Sequence, residues 1–184
     1  MIITISGVPG AGATTVSEHL AKKLRYKLVT VGELHKRLAE EEGIPSAEFE
    51  KAWIKGMKSP HEWKLFHNKL DQMQKEIARK RKNLIVNGKL SAFQIPWAHL
   101  KILLVAPLEV RAKRIAGREK ITKARALKSI KEREELERKE WRNIYGFDYV
   151  QDKDVYDFVI NTSHWSSEHI AELIEKMVSL RVRK

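Results

Sequence analysis

Five short apolar runs recur at 2–6 (IITIS), 27–31 (KLVTV), 83–87 (NLIVN), 100–106 (LKILLVA) and 156–162 (YDFVINT), and each carries β-branched residues. Continuous runs of this kind suit strands buried on both faces of a parallel sheet. Between the first two lies TTVSEHLAKKL, where Val16, Leu20 and Leu24 return every four residues. That spacing predicts one apolar stripe on a helix, with Glu18, Lys22 and Lys23 turned to water. Further on, SSEHIAELIEKMVSL predicts a second helix, opened by serines suited to capping its first amides. Strands alternating with helices imply right-handed crossovers and a three-layer α/β fold on a five-stranded parallel sheet.

Two long stretches break the alternation. One runs from about residue 33 to 82, reads as mostly helical, and is interrupted by Gly-Ile-Pro at Gly43–Pro45. The other runs from about 111 to 145 and is dense in both charge signs. Insertions after strands of such a sheet carry substrate-binding and lid elements, because ligands sit outside the strands' carboxyl ends. The 184 residues fit a single domain, 1–184, and no repeat or low-complexity linker divides it.

The first apolar run ends at Gly7, and Gly12 follows five residues later, which frames a phosphate-binding loop between strand and helix. Gly7, Gly10 and Gly12 permit turns and close approaches that side chains would block. The amides from Gly7 to Thr15, those of Ala11, Ala13 and Thr14 included, then meet a phosphate at a helix N-terminus with its positive dipole. Thr14 and Thr15 stand where a hydroxyl binds magnesium, and Thr14 is the metal candidate. The loop pattern calls for lysine after Gly12, yet the chain has Ala13. That lysine neutralises the β- and γ-phosphates during transfer. One lost transition-state donor typically costs about 3–4 kcal/mol, or roughly 100- to 1000-fold in rate. Asn87 is a second departure, at a strand end where such folds place an acidic residue near the magnesium water shell. Stabilising the strand end is the alternative role for that asparagine.

Composition narrows the chemistry further. The absence of cysteine excludes disulfides, thiolate zinc sites and a cysteine nucleophile. The seven histidines show no metal-ligand spacing. The opening MIITISG lacks the length and basic flank of a secretion signal, and no apolar run approaches the ~20 residues of a membrane span. A soluble, cytoplasmic protein with no membrane partner is expected.

Charge adds a second theme. Lys and Arg number 36 against 24 Asp and Glu, a net +12. A global excess favours polyanions, nucleic acid first, whereas a thermophile-type surface raises both signs together. Between Lys64 and Lys89 eight basic residues face two acidic ones, and between Arg111 and Arg142 thirteen face six. The first segment holds the run Arg79, Lys80, Arg81, Lys82, the candidate RNA contact. The same cations would complement a helix C-terminus, and that alternative stays open. Arg111, Arg114 and Arg118 fall three and four apart on one helix face, with Arg114 and Arg118 placed to clamp phosphates and Arg111 expected at the surface. Trp53, Trp63, Trp97, Trp141 and Trp165 could stack bases, though most are expected in core or lid packing.

Several segments together, SGVPGAGATT, TVGEL, LLVAPLEVRAKRIAGRE, EREE and WRNIYGFD followed by VYDFVINTSHW, resemble the archaeal cytidylate kinases. The resemblance spans almost the whole chain in order. It implies a P-loop nucleoside-monophosphate kinase fold with a core, a substrate-binding insertion and a lid, and transfer from MgATP to CMP or dCMP. By resemblance the loop residues Gly7, Gly10, Gly12, Thr14 and Thr15 match, as do Glu33 and Asp71 of the substrate region and the lid arginines Arg114, Arg118 and Arg133. Other positions depart from the family's pattern. Lys36 and Lys89 stand where it has arginines, Gln72 replaces an arginine after Asp71, Asn87 replaces an acid, and Glu140 stands where an arginine precedes the aromatic Trp141. Arginine-to-lysine changes lose the bidentate fork at a phosphate, and a glutamate among clamping arginines adds repulsion.

The expected protein therefore keeps a kinase fold with impaired or lost phosphoryl transfer. ATP with magnesium, and CMP, bind if the site is retained, and RNA or a ribonucleoprotein is the partner. The alternative is a working (d)CMP kinase in which substitute basic residues serve.

Overall fold

The structure is a computed structural model that describes residues 1–41, 43 and 60–182. The five apolar runs form strands β1 (Ile2–Gly7), β2 (Lys27–Thr30), β3 (Leu84–Asn87), β4 (Leu100–Val105) and β5 (Phe158–Asn161). They pair in parallel in the order β2-β3-β1-β4-β5. The first strand thus lies at the centre, and its carboxyl end opens where the strand order reverses direction. Ligands collect at that crevice in open α/β sheets.

The expectation of burial on both faces is met in the middle of the sheet and fails at its edges. β1 and β3 are buried throughout. β2 is half-exposed and β5 leaves Phe158 and Val159 exposed, because an edge strand has a neighbour on one side alone.

Helices cover the faces as their periodicity requires. In α1 (Ala13–Leu24) Val16 and Leu20 are buried while Glu18, Lys22 and Lys23 face solvent. At the other end of the chain is α7 (Ser167–Val182), which packs beside α1 through Ile170, Ala171, Ile174 and Val178. Its cap is the predicted serine: Ser166 Oγ accepts from the His169 amide at 3.1 Å.

The first insertion contributes α2 (Val31–Glu41) and α3 (Pro60–Lys80), which meet over Leu34, Leu38, Ala39, Phe66 and Leu70. Of the Gly-Ile-Pro break, Gly43 has φ 72°, and Ile44 and Pro45 lie outside the described residues. A short α4 (Ser91–Gln94) follows β3.

The second insertion is a helical hairpin, α5 (Leu108–Glu119) and α6 (Lys123–Tyr145). Ala112 and Ile115 pack on Ala126 and Ile130, and Thr122 caps α6 by accepting from the Arg125 amide at 3.2 Å. Trp141 is buried here. Trp97 and Trp165 are exposed, against the expectation of core packing, because both sit in connecting segments beside element ends. Trp53 and the Trp63 side chain lie outside the described residues. Among the described residues no helix is long and apolar enough to cross a membrane.

Candidate active site

The loop between β1 and α1 is closed tightly enough to demand its glycines. A Cβ on Gly7 would lie 2.8 Å from the Ala13 methyl, so the strand can meet the first helical residue only if position 7 has no side chain. Gly10 has φ 82° and would drive a Cβ to 3.0 Å from Arg111. Gly12, the N-cap, places no side chain over the first amides of α1. Helix-start amides lack intrahelical acceptors, so this end of α1 suits an anion.

The loop's carbonyls are held from outside. Arg111 donates from Nη1 to Pro9 O at 3.1 Å and from Nε to Ala106 O at 2.9 Å, and pairs with Glu134 at 2.6 Å. Arg114 donates to the Thr162 hydroxyl at 2.9 Å and to the Thr162 carbonyl at 2.6 Å. Thr162 Oγ1 in turn donates to Ala11 O at 2.9 Å. Arg111, expected at the surface, is buried: its guanidinium has three acceptors to satisfy in the joint between the loop and the α5–α6 hairpin. Arg118 lies one turn further along α5, exposed and paired with Glu119 at 2.7 Å. The shared helix face is real, yet only two of its three arginines reach the loop.

Thr14 and Asn87 meet beside the loop. Thr14 Oγ1 donates to Asn87 Oδ1 at 3.4 Å, and Asn87 Nδ2 donates to Ile5 O at 3.1 Å. Asn87 therefore ties β3 to β1 and offers its neutral oxygen where an acid was expected. Thr15 is exposed. The glycine loop and helix start fit a polyphosphate. For magnesium the donors at hand are neutral, the Thr14 hydroxyl and the Asn87 amide oxygen. Among the described residues no group of three or more His, Asp or Glu could hold a metal.

A carboxylate sits among the cations of the opposite wall. Lys89, which follows β3, places its ammonium 2.6 and 2.5 Å from the two oxygens of Glu137 on α6. Arg133 Nε donates to the same carboxylate at 2.9 Å, and the Lys89 ammonium lies 5.5 Å from the centre of the Trp141 ring. Burial alone would raise the Glu137 carboxyl; the two cations outweigh it and hold the group below the ordinary range. Burial lowers Lys89 to about 8, against the pull of Glu137. At neutral pH the pair is ionic. Glu140, the glutamate singled out from the sequence, is half-buried one turn beyond it.

Asp71 joins α3 to α6. Its carboxylate accepts from the Tyr145 hydroxyl at 2.6 Å and from Gln74 Nε2 at 3.2 Å, and Gln74 Oε1 accepts from Ser91 Oγ at 2.9 Å. Burial pushes Asp71 up to about 6, with the Tyr145 hydrogen bond and Lys75 acting against it. Burial also raises the Tyr145 hydroxyl, and Asp71 adds to the effect. Beside them His35 and His67 are lowered by burial to about 3 and about 4. Glu33 and Lys36 are exposed on α2, and Gln72 is exposed on α3.

Arg79, Lys80, Arg81 and Lys82 are exposed at the end of α3 and before β3. They lie at the amino ends of the strands, the pole opposite the loop, and share no site with it.

Comparison with known proteins agrees with this arrangement. The profile of the Cytidylate kinase-like family matches residues 2–164. A cytidylate kinase of Thermococcus kodakarensis is 35% identical over 97% of this chain and 88% of its own length. One from Methanocaldococcus jannaschii is 37% identical over 97% of each chain. Among solved structures, shikimate kinase from Acinetobacter baumannii in complex with shikimate superposes with a TM-score of 0.60 at 17% identity, over 100% of this chain and 95% of that one, a likeness of fold. With its central β1, its glycine loop on α1 and its helical insertions, the chain belongs to the cytidylate kinase-like family, on a P-loop nucleoside-monophosphate kinase fold.

Proposed function

We propose that this chain is a cytoplasmic nucleotide-binding protein of one kinase-like domain, with its substrate-binding insertion at about 33–82 and its lid at about 111–145. Its phosphoryl transfer is strongly impaired and its retained role is binding nucleotide and RNA, including RNA within a ribonucleoprotein such as the ribosome. In this reading the backbone from Gly7 through Gly10, Ala11, Gly12, Ala13, Thr14 and Thr15 holds the phosphates of ATP, with Thr14 on magnesium. Arg114, Arg118 and Arg133 act from the lid, and Glu33, Lys36, Asp71 and Lys89 face CMP. Bound magnesium would spread the charge of the donor phosphates.

The observation that carries the proposal is the state of the site's cations. Position 13 holds a methyl group, while Lys89 and Arg133 are both engaged by Glu137. Each missing preorganised donor costs about 3–4 kcal/mol in the transition state. A coupled assay of CDP formation from ATP and CMP tests this, with the Ala13→Lys and Glu137→Gln changes made singly and together. Slow turnover that rises with both changes is expected; fast turnover by the unaltered chain overturns the reading.

A second reading is supported by the relatives, which are described as cytidylate kinases at 35% and 37% identity over nearly the whole chain. Here the chain is a working (d)CMP kinase in which ligand phosphate displaces Glu137 and frees Lys89. It expects magnesium-dependent CDP formation at an ordinary kinase rate, and no product at high enzyme concentration would rule it out.

A further inference from the structure

The amino pole of the sheet gathers groups that the kinase chemistry does not use. Helix α3 runs back against the strands and ends there, leaving Arg79, Lys80, Arg81 and Lys82 exposed ahead of β3. A groove of about 510 Å³ opens at this pole, lined in part by Arg79, Arg81, Lys82, Trp97 and His99. Among the described residues, none that lines it is acidic. Acids near this pole already have partners: Glu76 with Lys80, Glu172 with Lys23, and Asp157 with Arg181.

Cations at a helix C-terminus can be explained by the helix dipole. That does not explain the indole. Trp97 is 38% exposed, and the Arg79 guanidinium carbon sits 5.3 Å from its ring centre. Stacking would fix the orientation of the indole and leave it displayed beside the cations. His99 Nδ1 accepts from the Ile2 amide at 3.1 Å, which puts the proton of the neutral ring on Nε2 as a further donor. A displayed aromatic ring flanked by cations is the arrangement that holds a base and its neighbouring phosphates.

We propose that this groove binds single-stranded nucleic acid, with a base stacked on Trp97 and the flanking phosphates on Arg81 and Lys82. The proposal rests on the nucleic-acid part of the function proposed above and adds its site and its preference for unpaired bases. It is independent of the P-loop.

Fluorescence anisotropy with labelled 12-mer oligouridylate, oligothymidylate and a 12-base-pair duplex tests it on the full chain. The unaltered protein should prefer the single strands, and a lead for oligouridylate would identify RNA as the ligand. Trp97→Ala should weaken single-strand binding roughly tenfold, the loss of one stacked base, while Trp97→Phe retains most of it. Arg81→Glu with Lys82→Glu should weaken binding further and flatten its salt dependence. The thermal shift produced by ATP should be the same in every variant, which excludes misfolding. Equal affinity of Trp97→Ala and the unaltered chain would overturn the groove while leaving charge-driven RNA binding in place. No binding of any probe at low salt would overturn both.

Discussion

Glu137 is the residue on which the state of the site turns. Two cations within 3 Å hold its carboxylate ionised although its side chain is only 3% exposed. Removing one member of a buried pair leaves the other uncompensated, at a typical cost of about 3–5 kcal/mol. Glu137→Gln should therefore lower stability by about 3 kcal/mol in urea unfolding, and also tighten CMP binding by freeing Lys89 for the acceptor phosphate. Lower stability with no change in CMP affinity would show that Lys89 does not face the acceptor. Ala13 was plain from the loop pattern, since the glycine frame counts out the position of the missing lysine. Glu137 was hidden in the run EREELE, where helix phase relative to β3 decides which carboxylate reaches Lys89. The sequence pointed to Glu140 instead, one turn away. Arg111 was misjudged for a related reason: its three acceptors come from Pro9, Ala106 and Glu134, remote in sequence or supplied by backbone.

Between elements, α3 and α6 are linked by Asp71 and Tyr145, and that link titrates. The unfolded aspartate ionises near 3.8 and the folded one near 6, so across this window the folded state binds more protons. This group's contribution to stability falls as pH rises from about 4 to about 6. His35 and His67 act in the opposite sense: lowered from 6.5 to about 3 and about 4, they favour the fold increasingly as pH rises to 6.5. Asp71→Asn should remove the opposing share. Its stability relative to the parent should improve by up to about 3 kcal/mol between pH 4 and pH 7, read from urea midpoints. A constant difference across that range would mean Asp71 is ionised throughout. The helices themselves were legible because apolar periodicity announces a buried stripe, as Val16 and Leu20 show. The Asp71–Tyr145 link was not, since 74 residues separate its ends and no local pattern records it.

Across the molecule, the glycine loop occupies the carboxyl ends of the strands and the basic groove their amino ends. A P-loop ligand and a polyanion would thus bind without sharing a side chain. Oligouridylate affinity should fall with salt at a log–log slope of about −3, as expected for some four phosphate contacts by a single strand. Saturating ATP should leave that slope unchanged, and competition between the two ligands would place both at one pole. The net charge of +12 signalled a polyanion without saying where it binds, because charge totals carry no position. The groove proposed for it lies where α3 ends at the amino ends of the strands, a position that no charge total records. Steady-state CDP formation by the purified, unaltered chain from MgATP and CMP goes to the heart of the account. Turnover should stay below about 1% of the ~1–100 s⁻¹ usual for kinases, and the joint Ala13→Lys and Glu137→Gln changes should raise it. Sustained turnover within that ordinary range by the unaltered chain would contradict it.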